Sequence, residues 1–261
     1  MHAMVFGPSA ASRPRRPGPR AGGKSAGSDW KGAPHRVSRS APLLASLEAT
    51  MTVLPLARRR PASVRVPLPD GGTARLRPLQ DGESTPLLEV FAGLSAASRA
   101  SRYLVAMPRL PGSFVRKLSA TDGLVSVAWL ASVDDRPVGI GRYVRMSEDP
   151  CTADVAFEVV DEQQRRGLGT ALLDTITTVA AANGVRRLRA TALPQNTASL
   201  RLLTRFGIPM SYEGGVLEGS APLRLLDPPR VDRRAVVELA RRSTPAPAEP
   251  VWTVPCAAAA H

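Results

Sequence analysis

The stretch Gln164-Arg165-Arg166-Gly167-Leu168-Gly169-Thr170 constrains this chain more than any other. It follows an apolar run, Ala156-Phe157-Glu158-Val159-Val160, and opens a helical pattern, Ala171-Leu172-Leu173-Asp174-Thr175-Ile176. A strand, a glycine-bearing turn and a helix in that order build an anion site. The first turn of a helix leaves N–H groups unpaired, and the helix dipole is positive there. Glycines let the backbone approach a phosphate with no Cβ in the way. Arg165 and Arg166 add charge beside it. A P-loop requires Gly-x-x-x-x-Gly-Lys-Ser/Thr, and no Lys lies here. A dinucleotide fingerprint requires a third glycine, which Gly167-Leu168-Gly169 lacks.

The patterning around the loop predicts alternating strands and helices. Ser63–Leu68 and Thr73–Leu79 alternate about Asp70-Gly71-Gly72, which reads as a hairpin. Ser84-Thr85-Pro86 starts a helix, with Pro in its first turn. A second short helix spans Ser95 to Val105, and another turn of helix lies near Phe114–Leu118. Leu124–Val133, Val138–Met146 and Ala153–Val160 form an antiparallel meander, with turns at Asp134–Pro137 and Ser147–Pro150. Then come a long helix from Thr170 to Ala182, a strand Val185–Ala192, a helix Asn196–Phe206 and two closing strands within Ile208–Leu226. An amphipathic helix, Asp232–Arg242, precedes a Pro/Ala tail. This order is mixed α/β.

Composition narrows the functional classes. The formal charge of +13 suggests a nucleic-acid partner, but residues 1–60 carry eleven Arg/Lys against two Asp/Glu. The remaining residues hold 24 basic and 20 acidic side chains, so the folded part is close to balanced. Residues 1–41 lack apolar periodicity and read as disordered, and the whole 1–60 segment as a basic extension. No apolar run is long enough for a signal-peptide core or a membrane span, so the expected location is cytoplasmic with no membrane partner. The histidines are His2, His35 and His261, all in expected tails, so acid–base chemistry falls to carboxylates, Tyr, Ser, water or backbone. Cys151 and Cys256 are far apart in sequence and argue against a disulfide framework or a zinc site; no metal is expected.

The Gln-x-x-Gly-x-Gly form resembles the pyrophosphate loop of the GNAT superfamily, the N-acyltransferases that use acetyl-CoA. The likeness covers roughly residues 63–226. It implies a mostly antiparallel central sheet flanked by helices, with two parallel strands splayed at an acyl-CoA cleft. Together with composition and patterning it divides the chain into three segments: the disordered basic 1–60 extension, a GNAT domain at 61–226, and a C-terminal helix and Pro/Ala-rich tail at 227–261. It also implies acetyl-CoA as cosubstrate, no metal, and an amine as acceptor. Carried onto this chain, the cofactor would meet Phe157, Val159 and Val160 on the strand, and Gln164, Arg165, Arg166, Gly167, Leu168, Gly169 and Thr170 on the loop. Asn196 and Ser199, in Asn196-Thr197-Ala198-Ser199, fit the family's second contact, and Asn196 also fits an ordinary helix N-cap.

The family often places a base near the start of the same strand, and Asp154 stands there in place of the usual Glu. Glu158 shares its strand face, so either carboxylate is a candidate base, and either could instead pair with Arg142 or Arg145. Where many relatives carry a general-acid Tyr, this chain has Leu203, which leaves Ser199, water or a helix N-terminus to stabilise the thiolate. The segment Leu94 to Leu104, with Ser98-Arg99 and Arg102-Tyr103, resembles the acceptor side of bacterial protein lysine acetyltransferase domains. Direct acetyl transfer to a primary amine, such as a protein lysine, is the expectation. The alternatives are a degenerate domain that senses acyl-CoA, or a nucleic-acid-associated protein acting through its arm. The Asp232–Arg242 helix could pack on its own domain or on a second subunit, so monomer and homodimer both stand.

Overall fold

Gly71 adopts φ +83°, a conformation that suits a residue without Cβ, and so closes β1 (Val64–Pro67) onto β2 (Thr73–Pro78). This is a computed structural model describing residues 61–244. The expected extension at 1–60, the tail past 244, Cys256 and the three histidines lie outside the described residues.

Three short helices follow the hairpin. α1 (Thr85–Ala92) has Pro86 in its first turn and buries Leu87, Val90 and Phe91. α2 (Ala96–Tyr103) is capped by Ser95, whose side chain accepts from the Ser98 N–H. α3 (Gly112–Ser119) buries Leu118 and Ser119. The meander then runs through β3 (Ser126–Val133), β4 (Arg136–Arg145) and β5 (Thr152–Val159), antiparallel throughout. Asp134 and Asp135 both have positive φ, the geometry a two-residue hairpin turn requires. That turn is tighter than the sequence suggests, so β4 already includes Pro137. Beyond the loop come α4 (Leu168–Ala182), β6 (Arg187–Ala192), α5 (Thr197–Arg205), β7 (Ser211–Glu213), β8 (Val216–Pro222) and α6 (Arg233–Ser243).

The strands form one sheet in the order β1-β2-β3-β4-β5-β6-β8-β7, antiparallel except for β5 beside β6. This is the expected architecture. α4 lies against β4, where Gly139 and Gly141 leave room: a Cβ at Gly141 would stand 3.0 Å from Ile176 Cγ1. The apolar side of α4 is buried along almost its whole length, which holds its N-terminus in place at the sheet's central gap. α6 packs on α4 of its own chain, with Val236 fully buried. The fully buried Asp174 of α4 accepts from the N–H groups of Arg230 (2.6 Å) and Val231 (3.1 Å), anchoring the segment that leads into α6.

One expectation fails. Cys151, in the turn before β5, is disulfide-bonded. Among the described residues, no helix is long and apolar enough to cross a membrane.

Candidate active site

β5 and β6 pair over only three positions, Thr152 with Arg187, Ala153 with Leu188 and Asp154 with Arg189. Past Asp154 the strands part. The Val160 N–H donates to the Val138 carbonyl, which sets the alternation of β5: its even-numbered residues bond to β4. The backbone groups of Phe157 and Val159 therefore face the gap. Between the parted strands lies a cleft of about 230 Å³.

Most of the residues singled out from the sequence meet here. Phe157, Glu158 and Val159 line the cleft from β5. Gln164, Arg165, Leu168 and Gly169 line it from the loop and the start of α4. Asn196 and Ser199 line it from α5. The loop backbone is sharply bent, with Arg165 at φ +64° and Gly167 at φ +83°. Such alternation turns successive N–H groups to one side and makes an anion-binding concavity. No side chain caps the first turn of α4, so its N–H groups stay available to a ligand. Asn196 does cap α5: its Oδ1 accepts from the Ser199 N–H at 3.2 Å, which leaves the amide Nδ2 as the donor.

Other candidates stand apart from the cleft. Val160 is buried, with its side chain against Gly93. Arg166 turns away to the β1–β2 hairpin, its Nε 2.5 Å from Asp70 Oδ2, and it also donates to Gln163 Oε1. The hydrogen bond from Arg166 holds the Asp70 carboxyl below its ordinary value. Gly167 contributes the bend and Thr170 the first turn of α4, but neither wall includes their side-chain positions.

The two candidate carboxylates separate. Asp154 sits where β5 and β6 are still paired, directly beside Arg189, whose Nε (2.6 Å) and terminal nitrogen (2.9 Å) take both carboxylate oxygens. It does not line the cleft. Glu158 does, although its side chain is only 3% exposed. Arg102 of α2 places Nε 3.0 Å from Glu158 Oε2, yet neither atom has hydrogen-bond geometry, so the contact is coulombic. Neither partner is an arginine anticipated from the sequence. Arg145 instead donates to the carbonyls of Leu124, Pro150 and Asn183.

Arg142 lies behind Glu158 and donates to the Leu118 carbonyl at 2.5 Å. Burial first, and repulsion from Arg102 second, pull its pKa down to about 10. Burial and the nearby Glu158 carboxylate push the Tyr103 phenol well above its ordinary value, so Tyr103 stays neutral. Leu203, in place of a tyrosine, is buried in the cleft wall. The sequence reading missed Arg102 as the partner of Glu158, Arg189 as the partner of Asp154, and Asp161, which accepts from Ser95, Ser98 and Gln164. Only Asp161 left a local sign, a carboxylate three residues before the loop's glutamine.

With this geometry in place, the likenesses to known proteins become informative. Residues 102–208 match the model of the Acetyltransferase (GNAT) family. The crystal structure of the GNAT domain of S. lividans PAT superposes with a TM-score of 0.58 at 30% identity, covering 62% of this chain and 97% of that one. Acetyltransferase PA5475 of Pseudomonas aeruginosa is 28% identical over 144 residues, 54% of this chain and 77% of that protein. Acetyltransferase Pat of Mycolicibacterium smegmatis is 36% identical over 66 residues, 25% of this chain but only 20% of its own length. A sheet opened beside a glycine-bent loop, and a relative matched over nearly all of its domain, make this chain a member of the GNAT acetyltransferase family.

Proposed function

We propose that the protein moves an acetyl group from acetyl-CoA to a primary amine by direct attack in a ternary complex. The observation that carries this is the parting of β5 and β6 just after Asp154, with the unpaired N–H groups of the loop at the far end of the same gap. An extended pantetheine could pair with the edge of β5 at Phe157 and Val159, sharing or displacing the Gln164 Nε2 hydrogen bond to the Val159 carbonyl. The pyrophosphate would meet the N–H groups of the loop and the start of α4, with Arg165 beside it and Asn196 Nδ2 across the cleft.

In the reaction the amine nitrogen bonds to the thioester carbonyl carbon, and the carbon–sulfur bond breaks. The amine proton goes to a base, and the electron pair leaves on sulfur. Glu158 is the carboxylate in the cleft wall and is the base in this reading; Asp154, occupied by Arg189, supports the strand instead. No tyrosine stands at Leu203 to protonate the thiolate, so the positive end of α5, with Ser199, is its counterpart. A thiol pKa of roughly 8.5 lets the leaving sulfur depart as the anion. The acceptor class that the Leu94–Leu104 segment favours is a lysine on a protein.

The test is calorimetric titration of acetyl-CoA into the full chain and into Gly169→Glu. Gly169 lines the cleft and, unlike Gly167, has no positive φ, so the variant adds charge without backbone strain. Binding by the parent and its loss in the variant support the reading. A folded parent that binds no acetyl-CoA overturns it.

A further inference from the structure

The first residue after the β5 strand pair with Val138, Asp161, joins parts of the molecule far apart in sequence. Its Oδ2 accepts from the Ser95 N–H at 2.9 Å, and its Oδ1 from the Ser98 hydroxyl at 2.6 Å. The same Oδ1 accepts from Gln164 Nε2 at 2.9 Å. The Asp161 N–H donates to the Gly93 carbonyl, just before α2. One carboxylate thus holds both the start of α2 and the first residue of the loop. Burial acts to raise its pKa, but the hydrogen bonds from Ser95 and Ser98 outweigh burial and keep it below the ordinary value.

Gln164 has a second bond. Its Nε2 also donates to the Val159 carbonyl at 3.1 Å, a group on the edge of β5 that faces the gap. A ligand amide pairing with that edge must share or displace Gln164. The other anchor of Gln164 is Asp161, so the adjustment passes to Ser95 and Ser98. Arg102 lies seven residues beyond Ser95, two turns along α2, and meets Glu158 in the cleft.

We propose that Asp161 is a positioning residue that couples the cofactor loop to α2 and its Arg102, so that occupancy of the loop orders the acceptor wall. The inference rests on the reading of the loop as the acetyl-CoA site. Coupling of this kind is a free energy between two sites, and it is measured as a response at one to a ligand at the other.

The experiment uses the full chain and coenzyme A as the probe. Calorimetry gives its affinity, and hydrogen exchange of the amides at 96–103 gives the response of α2. In the parent, coenzyme A should slow exchange in α2 by about tenfold. Asp161→Asn should bind coenzyme A about tenfold more weakly, and saturating ligand should no longer slow α2. Ser98→Ala removes only one hydroxyl, so it tests the α2 arm even where Asp161→Asn does not fold; its response should shrink by about half or more. Glu162→Gln, at an exposed neighbouring residue, should respond like the parent. Slowing of α2 at the parental level in Asp161→Asn, or in Ser98→Ala, overturns the coupling while leaving the site reading intact. Failure of the parent to bind coenzyme A removes the site reading, and this inference with it.

Discussion

At the scale of single residues, the cleft assigns different work to two similar carboxylates. Glu158 faces the gap, and Asp154 is clamped by Arg189. Glu158→Gln should therefore lower kcat about a hundredfold or more, the usual loss of a general base, with the affinity for acetyl-CoA little changed. Asp154→Asn should cost about 1 kcal/mol of stability and much less in kcat. Steady-state rates on a lysine peptide, beside thermal melts, separate the two. Leu203 gives a second expectation. It is 2% exposed, so Leu203→Tyr inserts a larger ring into a filled wall and should cost about 1–3 kcal/mol, without supplying a working acid. A fall in Tm of several degrees with no gain in rate is the expected result. The sequence made Asp154 and Glu158 equal candidates because strand alternation gives only the face of a residue. Which of them meets an open cleft depends on where β6 leaves β5, and Arg189 reaches Asp154 from 35 residues away.

At the scale of elements, the glycines of β4 set the position of α4. A Cβ at Gly139 would stand 3.0 Å from Leu172 Cδ1 of α4, and one at Gly141 3.0 Å from Ile176 Cγ1. The helix can seat closely only because both side chains are missing. Gly141→Val should destabilise the fold by about 1–3 kcal/mol and, by moving the start of α4, should also weaken acetyl-CoA binding. Melting curves and calorimetry on one preparation test both parts. Elements with strong local signals were legible in the sequence: the Asp70-Gly71-Gly72 hairpin, the Pro86 helix start, and the meander with its turns. The Asp161–Gln163 turn of 3-10 helix was not, since three residues carry no periodicity. The partner of α6 was not legible either. Its apolar stripe calls for a surface without naming one, and the anchor that settles the matter is Asp174, inside another helix.

At the scale of the whole molecule, stability should depend on acid. Asp70 is held below the ordinary carboxyl range by its hydrogen bond from Arg166; burial acts to raise Asp161 and Glu83, but hydrogen bonds from Ser95 and Ser98 and from Arg77 hold them below it too. In each case the unfolded chain takes up its proton at a higher pH than the folded one. Their stabilisation is complete above the unfolded values and disappears as the pH falls through the folded ones. The Tm should accordingly hold near neutrality and drop below about pH 4.5, and Glu83→Gln should flatten that drop. The sheet has a further property at this scale. Two rafts of strands, β1 to β5 and β6 to β8, meet along three residue pairs, and the last of these carries the Asp154–Arg189 clamp. A joint that short works as the pivot of a pair of jaws: a small change of angle at the clamp becomes a larger change of gape where the proposed acyl donor would sit. Arg189→Lys keeps the charge but gives up the two-point grip. Its effect should appear in the preference between acetyl and longer acyl donors, read as the ratio of kcat/KM values, so that a residue outside the cleft becomes the gauge of what fits inside it.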